Sequence, residues 1–168
     1  MKALHILRHA KSSWEDIGRG DHNRPLAPRG RRAAKKLAKH LRQQQVTPVM
    51  VLCSSATRAR ETLELLAPAL GSPKKTLIED GLYAASADEL LDRLRRVPDP
   101  IESVLLIGHN PGLQDLALTL AANGAKRGQV LEDFPTGALA TLHIDVARWR
   151  DLLPGDADIV DYVVPREL

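Results

Sequence analysis

The sequence predicts an α/β domain: a three-layer α/β/α sandwich with a mostly parallel central sheet and helices on both faces. Three observations lead there. Short apolar runs recur at 3–7, 49–53, 104–107 and 139–144, with a weaker one at 159–164, and each has the length of a buried strand. Helical patterns fall between them, so strand and helix alternate as in a doubly wound sheet. No internal repeat or low-complexity tract breaks the alternation, and clusters such as Gly71-Ser72-Pro73 are of turn size rather than linker size. The whole chain, 1–168, is therefore expected to form one domain, a size ordinary for a single core.

In chain order, the first strand runs straight into Arg8-His9. A helix over 29–45 follows: Ala33, Leu37, Ala38 and Leu41 form one apolar stripe, and Arg31, Arg32, Lys35, Lys36 and Lys39 lie largely on the other side. The second strand, 49–53, leads to a helix over 57–70. A short edge strand precedes Glu79-Asp80-Gly81-Leu82-Tyr83, and Ser86 caps a third helix over 87–96. The strand at 104–107 is followed by Asn110-Pro111-Gly112, whose proline and glycine open a fourth helix over 113–122.

Apolar residues at 43% and charged residues at 27%, with both signs mixed, describe an ordinary globular chain rather than a disordered one. The formal charge of +3 is small enough to be accounted for by helix faces and an anion pocket, so no nucleic-acid partner is expected. A single cysteine, Cys53, excludes an internal disulfide, and its place after an apolar run marks it as a small buried hydrophobe. The first nine residues are too short and polar for a signal peptide, and no run is long enough to span a membrane. A cytoplasmic monomer without membrane contact is the expectation.

Sites in such sheets lie beyond the carboxyl ends of the strands, and three strand ends here carry related chemistry. Arg8-His9 follows the first. His109, in Ile107-Gly108-His109-Asn110-Pro111-Gly112, follows the strand at 104–107. Arg58, in Ser54-Ser55-Ala56-Thr57-Arg58-Ala59-Arg60-Glu61-Thr62, sits near the first turn of the helix after the second, where helix dipole, backbone N–H groups and guanidinium all favour an anion. Arg60, two residues on, points to another helix face. Two imidazoles and two arginines converge with no cysteine or carboxylate cluster, so phosphate rather than a metal is the expected ligand, and no cofactor is expected. The planar arginine fork grips two phosphoryl oxygens at once. Neighbouring cations disfavour a second positive charge on His9 and keep its imidazole a neutral nucleophile. Ser12 and Thr136 are candidate hydroxyl donors to the phosphate.

Arg8-His9-Ala10, with Ser12 and Trp14, resembles the Arg-His-Gly signature of the histidine phosphatase superfamily, also called phosphoglycerate mutase-like, with alanine in the glycine position. Arg24-Pro25-Leu26 with Gly30, then Arg58-Ala59-Arg60-Glu61-Thr62, then Gly108-His109 are similar to further family segments in the same order. The Arg-His-Ala-Lys-Ser start, Gly-His-Asn-Pro-Gly, and Phe134-Pro135-Thr136-Gly137-Ala138 most resemble the small SixA-type phosphohistidine phosphatases. The resemblance implies a phosphoglycerate mutase-like fold, His9 as nucleophile, Arg8 and Arg58 as phosphate clamps, and His109 as a further donor to the transferring group.

Family members that cleave phosphate esters keep a carboxylic acid to protonate the leaving alkoxide. Its candidates here are Glu79 and Asp80, with Tyr83 a weaker one. A leaving imidazole is far less basic and needs less help, so a doubtful acid favours phosphohistidine in a protein over a small phosphate ester. A small-molecule phosphomonoesterase or mutase with the same pocket is the nearest alternative, and a non-catalytic anion-binding or protein-binding module the alternative of another class.

Overall fold

A computed structural model describes residues 1–15, 18 and 20–168. In chain order the elements are β1 (Lys2–Arg8), α1 (Pro28–Gln43), β2 (Met50–Ser54), α2 (Thr57–Leu66), β3 (Lys75–Glu79) and α3 (Ala87–Arg95). There follow β4 (Ser103–Gly108), α4 (Gly112–Leu120), β5 (Ala121–Asn123), α5 (Arg127–Glu132), β6 (Leu139–Ile144) and β7 (Ala157–Val163). Among the described residues the strands form one seven-stranded sheet in the order β3-β2-β4-β1-β6-β7-β5. β6 runs antiparallel to its neighbours β1 and β7, and the other pairings are parallel. The predicted α/β class and mostly parallel sheet are thus observed.

The layering follows from the strand order. Crossovers between parallel strands share one hand, so the outward path β1, β2, β3 lays α1 and α2 on one face, and the return to β4 lays α3 on the other. The period-two alternation of the strands feeds both cores. Leu4, Ile6, Met50, Leu52, Val104 and Leu106 pack with α3 and α4. Leu7, Val51, Cys53, Leu105 and Ile107 pack with α1 and α2. Burial pushes the Cys53 thiol up to about 12, so it is a packing residue.

Three helices end two or more residues short of the sequence expectation, each for a local reason. α2 stops at Leu66 rather than 70 because Pro68 has no N–H to continue the ladder, and Ala67–Ala69 tightens into a 3-10 turn. α4 stops at Leu120 because Ala121 turns to pair with Ala157 as β5. α1 stops at Gln43, two residues before Gln45 takes a left-handed φ of 55°.

The Ser86 cap is a reciprocal box: Ser86 Oγ accepts from the Glu89 N–H at 3.2 Å and the Ser86 N–H donates to Glu89 Oε1 at 3.1 Å. Ser86→Ala should cost about 1 kcal/mol in chemical denaturation, the usual worth of such a cap. No helix among the described residues is long and apolar enough to cross a membrane.

Candidate active site

β1, β4 and β2 are adjacent in the sheet and parallel, so their carboxyl ends lie level. Register pairs Arg8 with Gly108 and Cys53 with Ile107. His9 and His109 therefore leave the sheet side by side, with ring centroids 5.1 Å apart, and Ser54 closes β2 next to them. The chain before β6 joins the same edge, since the Gly137 N–H donates to the carbonyls of Arg8 and His9. Arg8, His9, Ser12, Arg58, His109 and Thr136 all line one pocket of about 250 Å³, and Lys11, Trp14, Arg24 and Asn110 complete it.

The loop after His9 is fixed from two sides. The Ala10 N–H donates to Thr62 Oγ1 at 3.0 Å, and the Thr62 hydroxyl donates to the Arg58 carbonyl at 2.7 Å, which ties the loop to the helix turn that carries Arg58. On the other side the Ala27 N–H donates to the Lys11 carbonyl at 2.9 Å, and Gly30 in the first turn of α1 approaches so closely that a Cβ there would fall 2.0 Å from that oxygen. Glycine at 30 is a steric requirement of this approach.

His9 is buried, with its two ring nitrogens in different roles. Nδ1 lies 2.6 Å from the Ala10 carbonyl, an acceptor only, so Nδ1 carries the proton. Nε2 accepts from Arg58 Nε at 3.3 Å, so its lone pair is free of a proton. Burial holds the imidazole pKa down at about 3, with His109, Arg58 and Arg8 adding to the effect and the Ala10 hydrogen bond opposing it. The product is a neutral, oriented imidazole at neutral pH.

Arg58 is buried in turn and held by Asp21: Nη1 donates to its carbonyl at 2.7 Å and Nη2 to Oδ2 at 3.1 Å. The Tyr83 hydroxyl donates to the same Oδ2 at 2.5 Å. Arg24 bridges Asp21 Oδ1 at 3.1 Å to Ser12 Oγ at 2.7 Å, with its guanidinium 3.4 Å over the Trp14 ring. The Tyr83 hydrogen bond, then Arg58 and Arg24, hold the Asp21 carboxyl at about 2 against the opposing effect of burial, so it is an anchor for arginines and not a proton donor.

His109 Nε2 and Ser54 Oγ are hydrogen-bonded at 2.7 Å, and the Ser54 oxygen also accepts from the Ala56 N–H. Arg8 Nη1 donates to the Phe134 carbonyl at 3.1 Å. His109 Nδ1 and Arg8 Nε are buried and have no hydrogen-bond partner among the described residues. Uncompensated polar atoms of this kind are costly, and here both belong to residues that line the pocket.

The remaining sequence candidates lie elsewhere. Glu79 closes β3 in a bidentate pair with Arg93, at 2.7 and 3.0 Å, whose hydrogen bonds lower the carboxyl pKa and leave no proton to donate. Asp80 is exposed and does not line the pocket. Arg60 is exposed and donates to Thr57 Oγ1. Asp21, Ser54 and Thr62 were not singled out by sequence reasoning. Ser54, at a strand end level with the two histidine strands, had a positional signal, whereas Asp21 lies in a short 3-10 turn with none.

Burial holds His5 and His109 near 4 as it holds His9 near 3, against about 6.5 for a free imidazole. Below about pH 6.5 the unfolded chain binds protons at these rings that the folded chain refuses. The stability they contribute is complete above that pH and drains away as the pH falls toward 3. Denaturation midpoints should drop between pH 7 and pH 4.5, and the ¹⁵N signals of the His9 ring should stay constant from pH 8 to 5. A His9 titration near 6.5 would contradict this electrostatic account.

A family model for the histidine phosphatase superfamily (branch 1) matches residues 4–97. An uncharacterized protein of Mycobacterium tuberculosis is 38% identical over 164 residues, 95% of this chain and 100% of the relative. A structure from Nakamurella multipartitia designated a SixA phosphohistidine phosphatase superimposes with a TM-score of 0.82 at 31% identity, covering 98% of this chain and 96% of that one. The protein histidine phosphatase SixA complexed with tungstate shares the fold, with a TM-score of 0.81, 24% identity and 98% of each chain covered.

Proposed function

Because the chain belongs to the histidine phosphatase superfamily, we propose that it hydrolyses phosphohistidine in a protein substrate by way of a phosphoryl group carried on His9 Nε2. The observation that carries this reading is the pair of bonds on the His9 ring: Nδ1 to the Ala10 carbonyl, and Nε2 to Arg58 Nε. Together they fix one tautomer with Nε2 unprotonated, and when the Arg58 Nε–H turns to a phosphoryl oxygen the Nε2 lone pair is released to attack in a pocket lined by cations. Arg58 and Arg8 would grip the phosphoryl oxygens. Donation of the Ser54 hydroxyl proton to His109 Nε2 would leave Nδ1 as an N–H donor for a third oxygen, the electrostatic assistance that phosphoryl transfer chiefly needs.

In the first step Nε2 attacks phosphorus and the bond from phosphorus to the substrate imidazole breaks. The departing ring leaves neutral when its other nitrogen holds a proton, so no carboxylic acid is required of the enzyme. Water then attacks phosphorus, the bond to Nε2 breaks, and inorganic phosphate departs with the protons of the water. Among the described residues no carboxyl group lines the pocket, which supports a phosphoamidate over an alkyl phosphate ester.

Rapid-quench trapping with a labelled phosphohistidine peptide should show acid-labile label on the protein, with turnover well above that of an alkyl phosphate. Preference for the ester would replace this reading with a small-molecule phosphomonoesterase.

A further inference from the structure

A second cavity, about 410 Å³, opens beside the catalytic pocket and shares Lys11 and Thr136 with it. Its rim is cationic: Lys11, Arg29, Arg32, Lys36 and Arg166, all exposed. No carboxylate lines it. Among the described residues the one acid within ion-pair distance of a rim cation is Asp133, 3.6 Å from Arg166, and Lys11, Arg29, Arg32 and Lys36 have none. The cations on α1 are unopposed along the helix as well, since α1 contains no acidic residue. The chain's formal charge of only +3 therefore hides a one-sided distribution.

The arrangement argues for an extended acidic surface rather than a second phosphate. Arg29, Arg32 and Lys36 are spaced by three and four residues, so they share one face of α1 and stretch over about 10 Å of helix. They are strung out, not converged on a point. Beneath them Pro135, Val164 and Pro165 give the groove a partly apolar floor, suited to the stems of protein side chains.

We infer that this groove docks the phosphorylated protein, receiving acidic side chains that flank its phosphohistidine while the phosphoryl group enters beside His9. The inference rests on the phosphohistidine reading above. Since Lys11 and Thr136 line both cavities, the groove adjoins the pocket, and residues flanking the modified histidine would extend into it. The few ion pairs formed at the rim are solvent-exposed, each of modest strength, and together would favour an acidic substrate about tenfold at low salt.

The test uses two peptides phosphorylated on one histidine, one flanked by glutamates and the other by glutamines, with an aryl phosphate as reference. Wild-type protein should process the glutamate peptide with a kcat/KM about tenfold higher at low salt, the difference residing in KM and vanishing near 1 M salt, where screening acts within about 3 Å. Arg32→Glu with Lys36→Glu should abolish or invert the preference and leave the aryl phosphate unchanged. Arg32→Gln with Lys36→Gln, which only removes charge and leaves Lys11, Arg29 and Arg166 on the rim, should shrink the preference without inverting it. Equal use of both peptides by wild type, or a preference that survives charge reversal, overturns the docking role alone. Turnover of the aryl phosphate with neither peptide processed overturns the phosphohistidine reading and the docking role with it. Tight, salt-sensitive binding of duplex DNA that is lost on charge reversal, with the peptides used equally, assigns the groove to nucleic acid instead.

Discussion

Replacing His9 by alanine should lower turnover of any phosphorylated substrate by about ten-thousandfold or more, the scale on which loss of a covalent nucleophile is felt. The expectation follows from what the ring does. Its Nε2 has no proton to lose, already faces a guanidinium, and lies in the pocket with the two arginines and His109. Those donors would remain in the variant, so phosphate should still bind and a competitive inhibitor such as inorganic phosphate should keep most of its affinity. No label should be trapped on the protein. Turnover above about a tenth of the wild-type rate would remove His9 as the nucleophile.

Arg58→Ala is expected to be the next most damaging change, at about a hundred- to a thousandfold in kcat, the usual loss for one preorganised donor to the transition state. It removes the Nε–H that meets His9 Nε2 and the two Nη groups on Asp21 at once. Asp21 would keep Arg24 and Tyr83 as partners. Its carboxyl pKa should rise from about 2, since one of the groups that stabilise its charge is gone. Arg58→Lys should recover little, because an ammonium has charge without the fork that reaches His9 and Asp21 together. Comparing kcat with KM across wild type, lysine and alanine separates loss of transition-state contact from loss of substrate binding. Recovery of full kcat by lysine would show that charge alone suffices.

β2 and β4 were legible because each is buried on both faces and so reads as an unbroken apolar run, and β1 because its run is broken only by the buried His5. β3 was legible only as a short edge strand before Glu79, since Lys75 and Thr76 are exposed, whereas β5 is three residues long and α5 six, and neither has room for a periodic signal. Helix ends were the least secure, as Pro68 shows. His9, Arg58 and His109 could be located because strand ends converge by rule in a parallel sheet. The scaffold around them could not: Asp21 on Arg58, Tyr83 on Asp21 and Thr62 under Ala10 are contacts across loops whose positions only the folded chain fixes. Glu79 illustrates the opposite error. It lies at a strand end and is acidic, yet Arg93, fourteen residues on, takes both its oxygens, a pairing that strand counting does not reveal.

The order of the strands in the sheet sets a timetable for translation. β1 and β2 are made early but are not neighbours; the slot between them belongs to β4, and the pocket is closed by Thr136 just before β6. The ribosome thus synthesises His9 before the groups that stand beside it, which follow only with β4 and the segment ahead of β6. A nascent chain that stalls before His109, or a product clipped there by a protease, carries His9 as an ordinary imidazole, without the burial and neighbouring cations that set its state in the folded protein.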